Sequence, residues 1–163
     1  MKKWAWLMVL MGVIGSASGN DGEADRQRKL RVVQEVAVTF SEITELSATC
    51  ARHECDRQGD LDMSALQHKV SRILARHANP QVLWRLAATC RSAAWPQNAG
   101  EERVDLPFDL AWSTAIAMLG QSSSPGALDA LISLDAVVET DAGDSESLLE
   151  AIAEQRKRLH QKG

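Results

Sequence analysis

The stretch AWSTAIAMLGQSSSPGALDALISL, residues 111–134, carries two helix signals separated by a turn. Apolar and small side chains recur in it every three or four residues, a pattern typical of helices with one buried face. Gly120 is placed to end the first helix, and Ser124 followed by Pro125 is placed to open the second. The stretch therefore predicts two helices joined by a short turn.

The same periodicity extends over most of the chain, and alternation by two is nowhere sustained. The predicted helices cover approximately residues 24–52, 62–78, 80–95, 105–120, 124–138 and 144–159, with Asn79 and Asp105 as N-caps. The chain has no tyrosine and only two phenylalanines, so the core must be built from aliphatic side chains, which favours helices over strands. We predict an all-α fold of about six helices in antiparallel hairpins, arranged as a short solenoid or an irregular bundle.

An internal repeat links residues 62–95 with residues 106–139 at an offset of 45 positions. The offset places Asn79–Pro80 on Ser124–Pro125. It also aligns Val70 with Ala115, Ile73 with Met118, Leu74 with Leu119, Val82 with Ala127, Leu83 with Leu128 and Leu86 with Leu131. Two hairpins of one design, neither able to bury its apolar face alone, would gain by stacking.

Residues 111–134 resemble a HEAT-type repeat. The likeness lies in small residues in the first helix, a Leu-Gly ending, a short turn and a leucine-rich second helix. The resemblance covers one repeat well and a second loosely, and it implies a short stack of helix pairs with the first and last helices as caps. The alternative is an ordinary bundle whose two hairpins look alike because both need caps, turns and leucines.

The amino-terminal residues predict export. Lys2 and Lys3 precede the apolar run from Trp4 to Ile14, and small residues follow from Gly15 to Gly19. An apolar run of about eleven residues is shorter than the roughly 20 that span a bilayer. We therefore expect residues 1–19 to be a cleaved secretory signal peptide, leaving residues 20–163 as one domain in the periplasm or outside the cell.

Charge disfavours nucleic acid as a partner. Cleavage would remove two of the 18 basic residues and none of the 22 acidic ones, leaving a formal net charge of −6. No basic stripe interleaved with aromatics is present to neutralise phosphates. The expected partner is a protein of basic or mixed charge, and no cofactor and no membrane span of the mature chain are predicted.

The three cysteines would meet oxidising conditions after export, where thiols tend to pair. Cys50 and Cys90 fall near the carboxyl ends of the first and third predicted helices, which should lie at one end of the domain. We predict a Cys50–Cys90 disulfide, with Cys55 as the odd thiol and Cys55–Cys90 as the alternative pairing. The rival hypothesis is a metal site formed by Cys50, His53, Cys55 and Cys90.

Other candidate sites are weaker. His53–Glu54 begins the H-E-x-x-H pattern of zinc proteases, but position 57 is Arg, so the second histidine ligand is missing. The acidic residues around 139–150 only distantly match a calcium loop, because Gly143 sits one position early. His77 is expected to be a packed, hydrogen-bonded histidine rather than a ligand or a base.

These observations favour a non-catalytic, exported module that binds a protein or acts as a scaffold. One version is an envelope inhibitor or immunity-type protein that neutralises a toxin. The alternative is an enzyme or metal-binding protein that uses the cluster of Cys50, His53 and Cys55. Among the tryptophans, Trp95 and Trp112 are expected to be partly exposed near the loop between the third and fourth helices, where they would contact the partner.

Overall fold

The computed structural model describes residues 20–52, 63–94, 105–137 and 142–161. These residues form α1 (Asn20–Arg52), α2 (Met63–Leu74), α3 (Pro80–Ala94), α4 (Leu106–Gln121), α5 (Ala127–Val137) and α6 (Ala142–Gln161). No strand occurs within them. The prediction of an all-α fold is therefore confirmed, whereas the predicted signal peptide, residues 1–19, lies outside the described residues.

The helices form two layers. Helices α1, α3 and α5 make up one layer and α2, α4 and α6 the other, because each helix contacts the next but one along the chain. The most extensive interface joins α3 to α4 across the layers, whereas α2 and α3 hardly touch within the described residues. The predicted hairpin over residues 62–95 is therefore stabilised by its neighbours in each layer rather than by pairing its own two helices.

One continuous core runs between the layers, and α3 and α4 supply most of it. The largest fully buried side chains are aliphatic and come from all six helices: Ile43, Leu74, Leu86, Leu119, Leu131, Leu134 and Leu148. A smaller cluster of Val32, Val36 and Val82 joins α1 to α3. In contrast, every side chain from Glu23 to Arg31 is exposed, so α1 begins packing only after its first three turns.

Burial follows the internal repeat. Five of the six aligned pairs are buried at both positions or half-buried at both, and in the sixth pair Leu83 is buried while Leu128 is half-buried. Hydrophobic burial is worth about 1.5–3 kcal/mol for a large aliphatic side chain, so these shared positions are a main source of stability in both halves. The repeat in the sequence thus corresponds to a repeat in packing.

The turns before α3 and α5 differ although the sequence makes them look alike. Asn79 caps α3 as predicted, since its Oδ1 accepts a hydrogen bond of 3.0 Å from the Gln81 amide. Helix α5 instead begins at Ala127, two residues beyond the predicted proline, because Gly126 adopts a φ of +86° that only glycine accepts without strain. The prediction that Pro125 opens the helix is therefore wrong by half a turn.

Gly120 has a packing role rather than the predicted role of ending its helix. Helix α4 continues through Gln121, and a Cβ added to Gly120 would lie 3.2 Å from the Cβ of Ala151 on α6. That distance is tighter than ordinary van der Waals contact, so the absence of a side chain allows α4 and α6 to approach closely.

Candidate functional site

A groove of about 250 Å³ lies between the middle of α1 and the turn that follows α2. We call it the α1 groove. Its walls include Glu35, Val38, Thr39, Glu42, Arg76 and His77. The groove exists because α2 ends at Leu74, four residues earlier than predicted, so that Arg76 and His77 lie in a turn against α1.

His77 is hydrogen-bonded on the floor of the groove. Its Nε2 lies 2.7 Å from the Oγ of Thr39, and its Nδ1 lies 3.7 Å from Oε2 of Glu35. The Thr39 hydroxyl in turn donates to the backbone carbonyl of Glu35 at 2.8 Å. The prediction of a packed, hydrogen-bonded His77 is thereby confirmed.

The order Thr39, His77, Glu35 superficially matches the order of nucleophile, base and acid in hydrolases. Two features oppose that chemistry. Thr39 is only 1% exposed, so a substrate carbonyl cannot reach its oxygen. Its proton is also donated to the Glu35 carbonyl rather than to the imidazole, so His77 does not activate it as a base would. The arrangement is suited to holding the imidazole ring in place.

The rim of the groove carries three charged side chains, two of which form an ion pair with each other. Arg76 forms an ion pair and hydrogen bond with Glu42, which neutralises both side chains. Glu35 is half-exposed, has no arginine or lysine partner among the described residues, and lies 3.7 Å from His77. Val38, 62% exposed, adds an apolar contact surface beside these charges. With a neutral His77 the groove therefore has a local charge of about −1, which favours a cationic group.

A second polar feature lies on the outward face of α3. The guanidinium of Arg85 lies 4.6 Å from the ring centroid of Trp84, and it donates to both the carbonyl and the side-chain oxygen of Gln81 at 3.0 and 2.9 Å. The indole N–H of Trp84 donates to the same Gln81 oxygen at 3.0 Å. One glutamine thus fixes an aromatic ring and a cation side by side at the surface.

Arg85 has no carboxylate within ion-pair distance among the described residues, although it is half-buried. Partial burial removes water from its guanidinium and lowers the pKa of that group. A carboxylate from a partner could therefore form a charge-assisted hydrogen bond with Arg85, for which the described residues supply no carboxylate.

The tryptophans are distributed differently from the prediction. Trp112 is only 2% exposed and packs in the core near the guanidinium of the buried Arg91, so the prediction that it is partly exposed is wrong. Its position on the face of α4 shared by Ala111 and Ala115 explains the burial, because that face is covered from α3. Trp95 lies outside the described residues. Trp84 is the described tryptophan that stays partly exposed. It was not among the residues predicted from the sequence, although Gln81, one turn before it, and Arg85, one residue after it, are a signal that could have indicated it.

Cys50 and Cys90 are not joined by a disulfide in the structure. Cys90 is fully buried in the central core and packs as a small apolar side chain, while Cys50 is half-buried near the end of α1. Burial, with a smaller contribution from the Asp105 carboxylate, raises the pKa of the Cys90 thiol. The predicted Cys50–Cys90 bridge is therefore absent, and its alternative partner Cys55 lies outside the described residues.

The carboxyl-terminal part of α1 lies beside the start of α4. The hydroxyl of Ser47, near the end of α1, donates to Oδ2 of Asp105 at 2.5 Å. Asp105 occupies the N-cap position of α4 as predicted, but its side chain makes no cap hydrogen bond and contacts Ser47 instead. The carboxylate thus fixes α1 to the start of α4.

The hypothesis of a metal site at Cys50, His53, Cys55 and Cys90 is only partly covered by the structure, since His53 and Cys55 lie outside the described residues. Of the other two, Cys90 is fully buried in the central core and Cys50 is half-buried near the end of α1. No group of three His, Cys, Asp or Glu side chains in the described part of the chain could hold a metal ion. None of the described helices combines the length and apolar character needed to cross a bilayer.

Comparison of the chain with protein-family models, curated proteins and solved structures gives no match in any of the three. The resemblance to a HEAT-type repeat therefore stays a prediction. Function must be inferred from the two surface features, the α1 groove and the pair of Trp84 and Arg85.

Proposed function

We propose that this protein is an exported helical module that binds another protein and carries out no catalysis itself. Export is inferred from the charged, apolar and small-residue pattern of residues 1–19. The observation that carries the binding function is the half-buried pair of Trp84 and Arg85, held together by Gln81.

The pair has the properties of a binding hot spot. Tryptophan and arginine are enriched where interfaces gain most of their energy, because each combines a large contact area with directed hydrogen bonds. Gln81 holds both side chains before any partner arrives, so little conformational entropy is lost on binding. A partner carboxylate placed against Arg85 would also provide the counter-charge that the described residues do not supply.

The layered fold supports this assignment. Helix α3 is the central helix of its layer, with α1 on one side and α5 on the other, so its outward face is flanked by two neighbouring helices. Most side chains on that face are half-buried rather than exposed. Such a surface can exclude water from contacts made with Arg85, which strengthens them.

Affinity capture from an envelope fraction tests the proposal, with the full chain as bait. Arg85→Gln removes the charge and keeps part of the stem, and Arg72→Gln makes the same change at an exposed position on α2. We expect proteins captured by the wild type and by Arg72→Gln to be lost or reduced at least about tenfold with Arg85→Gln.

Circular dichroism and thermal unfolding of all three proteins verify that the variants fold. Capture that is identical for the two variants would refute the role of this surface. If the purified protein turned over a substrate, and if substitution of His77 or Cys90 abolished that turnover, the non-catalytic assignment would be refuted.

A further inference from the structure

The hydrogen bonds of the α1 groove fix which nitrogen of His77 carries the proton. Thr39 donates its only proton to the carbonyl of Glu35, the residue four positions earlier. Thr44 makes the same bond to Phe40, also at 2.8 Å, so this is the regular behaviour of threonine on α1. The Thr39 oxygen must therefore accept from His77, which places the proton of the neutral ring on Nε2.

This tautomer leaves Nδ1 as an unprotonated acceptor beside a carboxylate. Nδ1 lies 3.7 Å from Oε2 of Glu35, and both atoms are then hydrogen-bond acceptors. Two acceptors at that distance do not stabilise each other. A donor that reaches both atoms at once would be held by a neutral and a charged hydrogen bond.

We propose that this acceptor pair binds the ammonium group of a lysine side chain from a protein partner. A nitrogen about 2.9 Å from both atoms would subtend an angle of about 80° between acceptors 3.7 Å apart, within the range that the diverging protons of an ammonium can serve. A single ammonium nitrogen fits this geometry because its three donors can rotate to suit two separate side chains.

The rest of the groove suits the same side chain. Arg76 is engaged by Glu42, so the uncompensated charge at the acceptor pair is that of Glu35. Val38 presents an exposed apolar surface, against which the methylene stem of a lysine can pack. The overall formal charge of −4 also attracts a cationic group from a distance.

The inference rests on the proposed function only for the source of the lysine. Together, the groove and Arg85 would recognise a partner of mixed charge, with a lysine for Glu35 and a carboxylate for Arg85. The α1 groove and Arg85 bind different groups and are tested by different experiments, so either assignment can be refuted without the other.

The test uses the full chain labelled with ¹⁵N and Nα-acetyl-lysine methylamide as the probe, at about pH 8 where an ordinary histidine is neutral. Spectra of the imidazole nitrogens report the tautomer directly. We expect His77 to carry its proton on Nε2, and its Nδ1 signal to shift saturably on addition of the probe. The Nε-acetylated derivative, which has no charge, should give no such shift.

Glu35→Gln should lower the affinity for the probe at least about tenfold, because it removes a charge-assisted hydrogen bond. Glu45→Gln makes the same substitution on α1 at an exposed position outside the groove and should leave binding unchanged. A proton on Nδ1 in the free protein, or equal binding by both variants, would overturn the inference. Loss of lysine binding with intact Arg85-dependent capture would refute this site alone and leave the proposed function standing.

Discussion

The α4–α6 interface and the α1 groove both place polar side chains between packed elements, and they satisfy those side chains differently. At the α4–α6 interface, the amide nitrogen of buried Gln155 lies within 2.6–3.0 Å of the carbonyls of Leu119, Gly120 and Ser122. Arg158 donates to the carbonyl that lies between these, that of Gln121, at 2.8 Å. Two side chains of α6 thus cap the end of α4, whose last carbonyls lack partners within the helix.

In the α1 groove, by contrast, two hydrogen-bond acceptors lie next to each other, Nδ1 of neutral His77 and the carboxylate of Glu35. Thr39 and Nε2 of His77 satisfy each other, but Nδ1 and Glu35 lie 3.7 Å apart with no donor from the described part of the chain seen between them. The contrast separates structural polar groups from those available for binding. Where each donor meets acceptors inside the chain, the interface holds the fold together; where one charge remains uncompensated beside open space, a ligand can add to it.

The largest expected effect breaks the apolar contacts on the α6 side of the comparison. Leu148 of α6 is fully buried in the core, so Leu148→Ala should lower the free energy of unfolding by about 2–5 kcal/mol, through lost burial and the cavity it leaves. Leu149→Ala changes the next residue, which is 55% exposed, and should cost no more than about 0.5 kcal/mol. Urea unfolding of both variants measures the difference, and equal losses would contradict the assigned orientation of α6.

Replacing Gln155 tests the cap on α4. Gln155→Met keeps the length of the side chain but removes the donor, leaving buried carbonyls unsatisfied at a cost of about 1–3 kcal/mol. Gln161→Met, on the exposed end of the same helix, is the matched control and should be near neutral. Amide exchange in the last turn of α4 should accelerate only in Gln155→Met, and protection unchanged there would argue against the cap.

Thr39→Val tests the hydrogen bonds of the α1 groove. The valine has nearly the same shape but offers no acceptor to Nε2 of His77, so we expect a loss of about 1–2 kcal/mol. Thr44→Val removes the same threonine-to-carbonyl bond at an exposed site without a histidine and should change stability by less than about 0.5 kcal/mol. The ¹⁵N signals of His77 should show mixed tautomers in Thr39→Val only.

The smallest effect is expected at the rim. The Arg76–Glu42 ion pair is largely solvent-exposed, so Glu42→Gln should cost about 0–1 kcal/mol, and less in high salt. Thermal unfolding at low and high ionic strength measures this. A loss as large as that of Thr39→Val would mean that the ion pair, rather than the buried hydrogen bonds, holds the turn after α2 against α1.

Local features of the sequence predicted local features of the structure. The helices, the Asn79 cap and the hydrogen-bonded His77 could be predicted because each depends on residues within one or two turns, or on the general cost of burying an unpaired polar group. Helix ends were less predictable. The start of α5 depended on the backbone of Gly126, and the end of α2 on contacts with α1.

Contacts between distant residues could not be predicted in the same way. The pattern on α4 shows that Trp112 lies on an apolar face but not that α3 covers it, so its burial was missed. The hydrogen bonds from Gln155 to α4 and from Ser47 to Asp105 join residues more than thirty positions apart. No periodicity within either segment indicates such a partner.

The sequence by itself determined that the chain forms helices with aliphatic inner faces and an internal repeat. These properties follow from the helix propensity of its residues and from the burial of regularly spaced apolar side chains. Only the tertiary structure decided that the helices alternate between two layers, that Trp84 rather than Trp112 stays partly exposed, and that Glu35 lies beside His77 with no arginine or lysine partner among the described residues. The physical reason is that a helix specifies which of its faces avoids water, whereas the neighbour that covers that face is chosen by the shape and charge of the whole molecule.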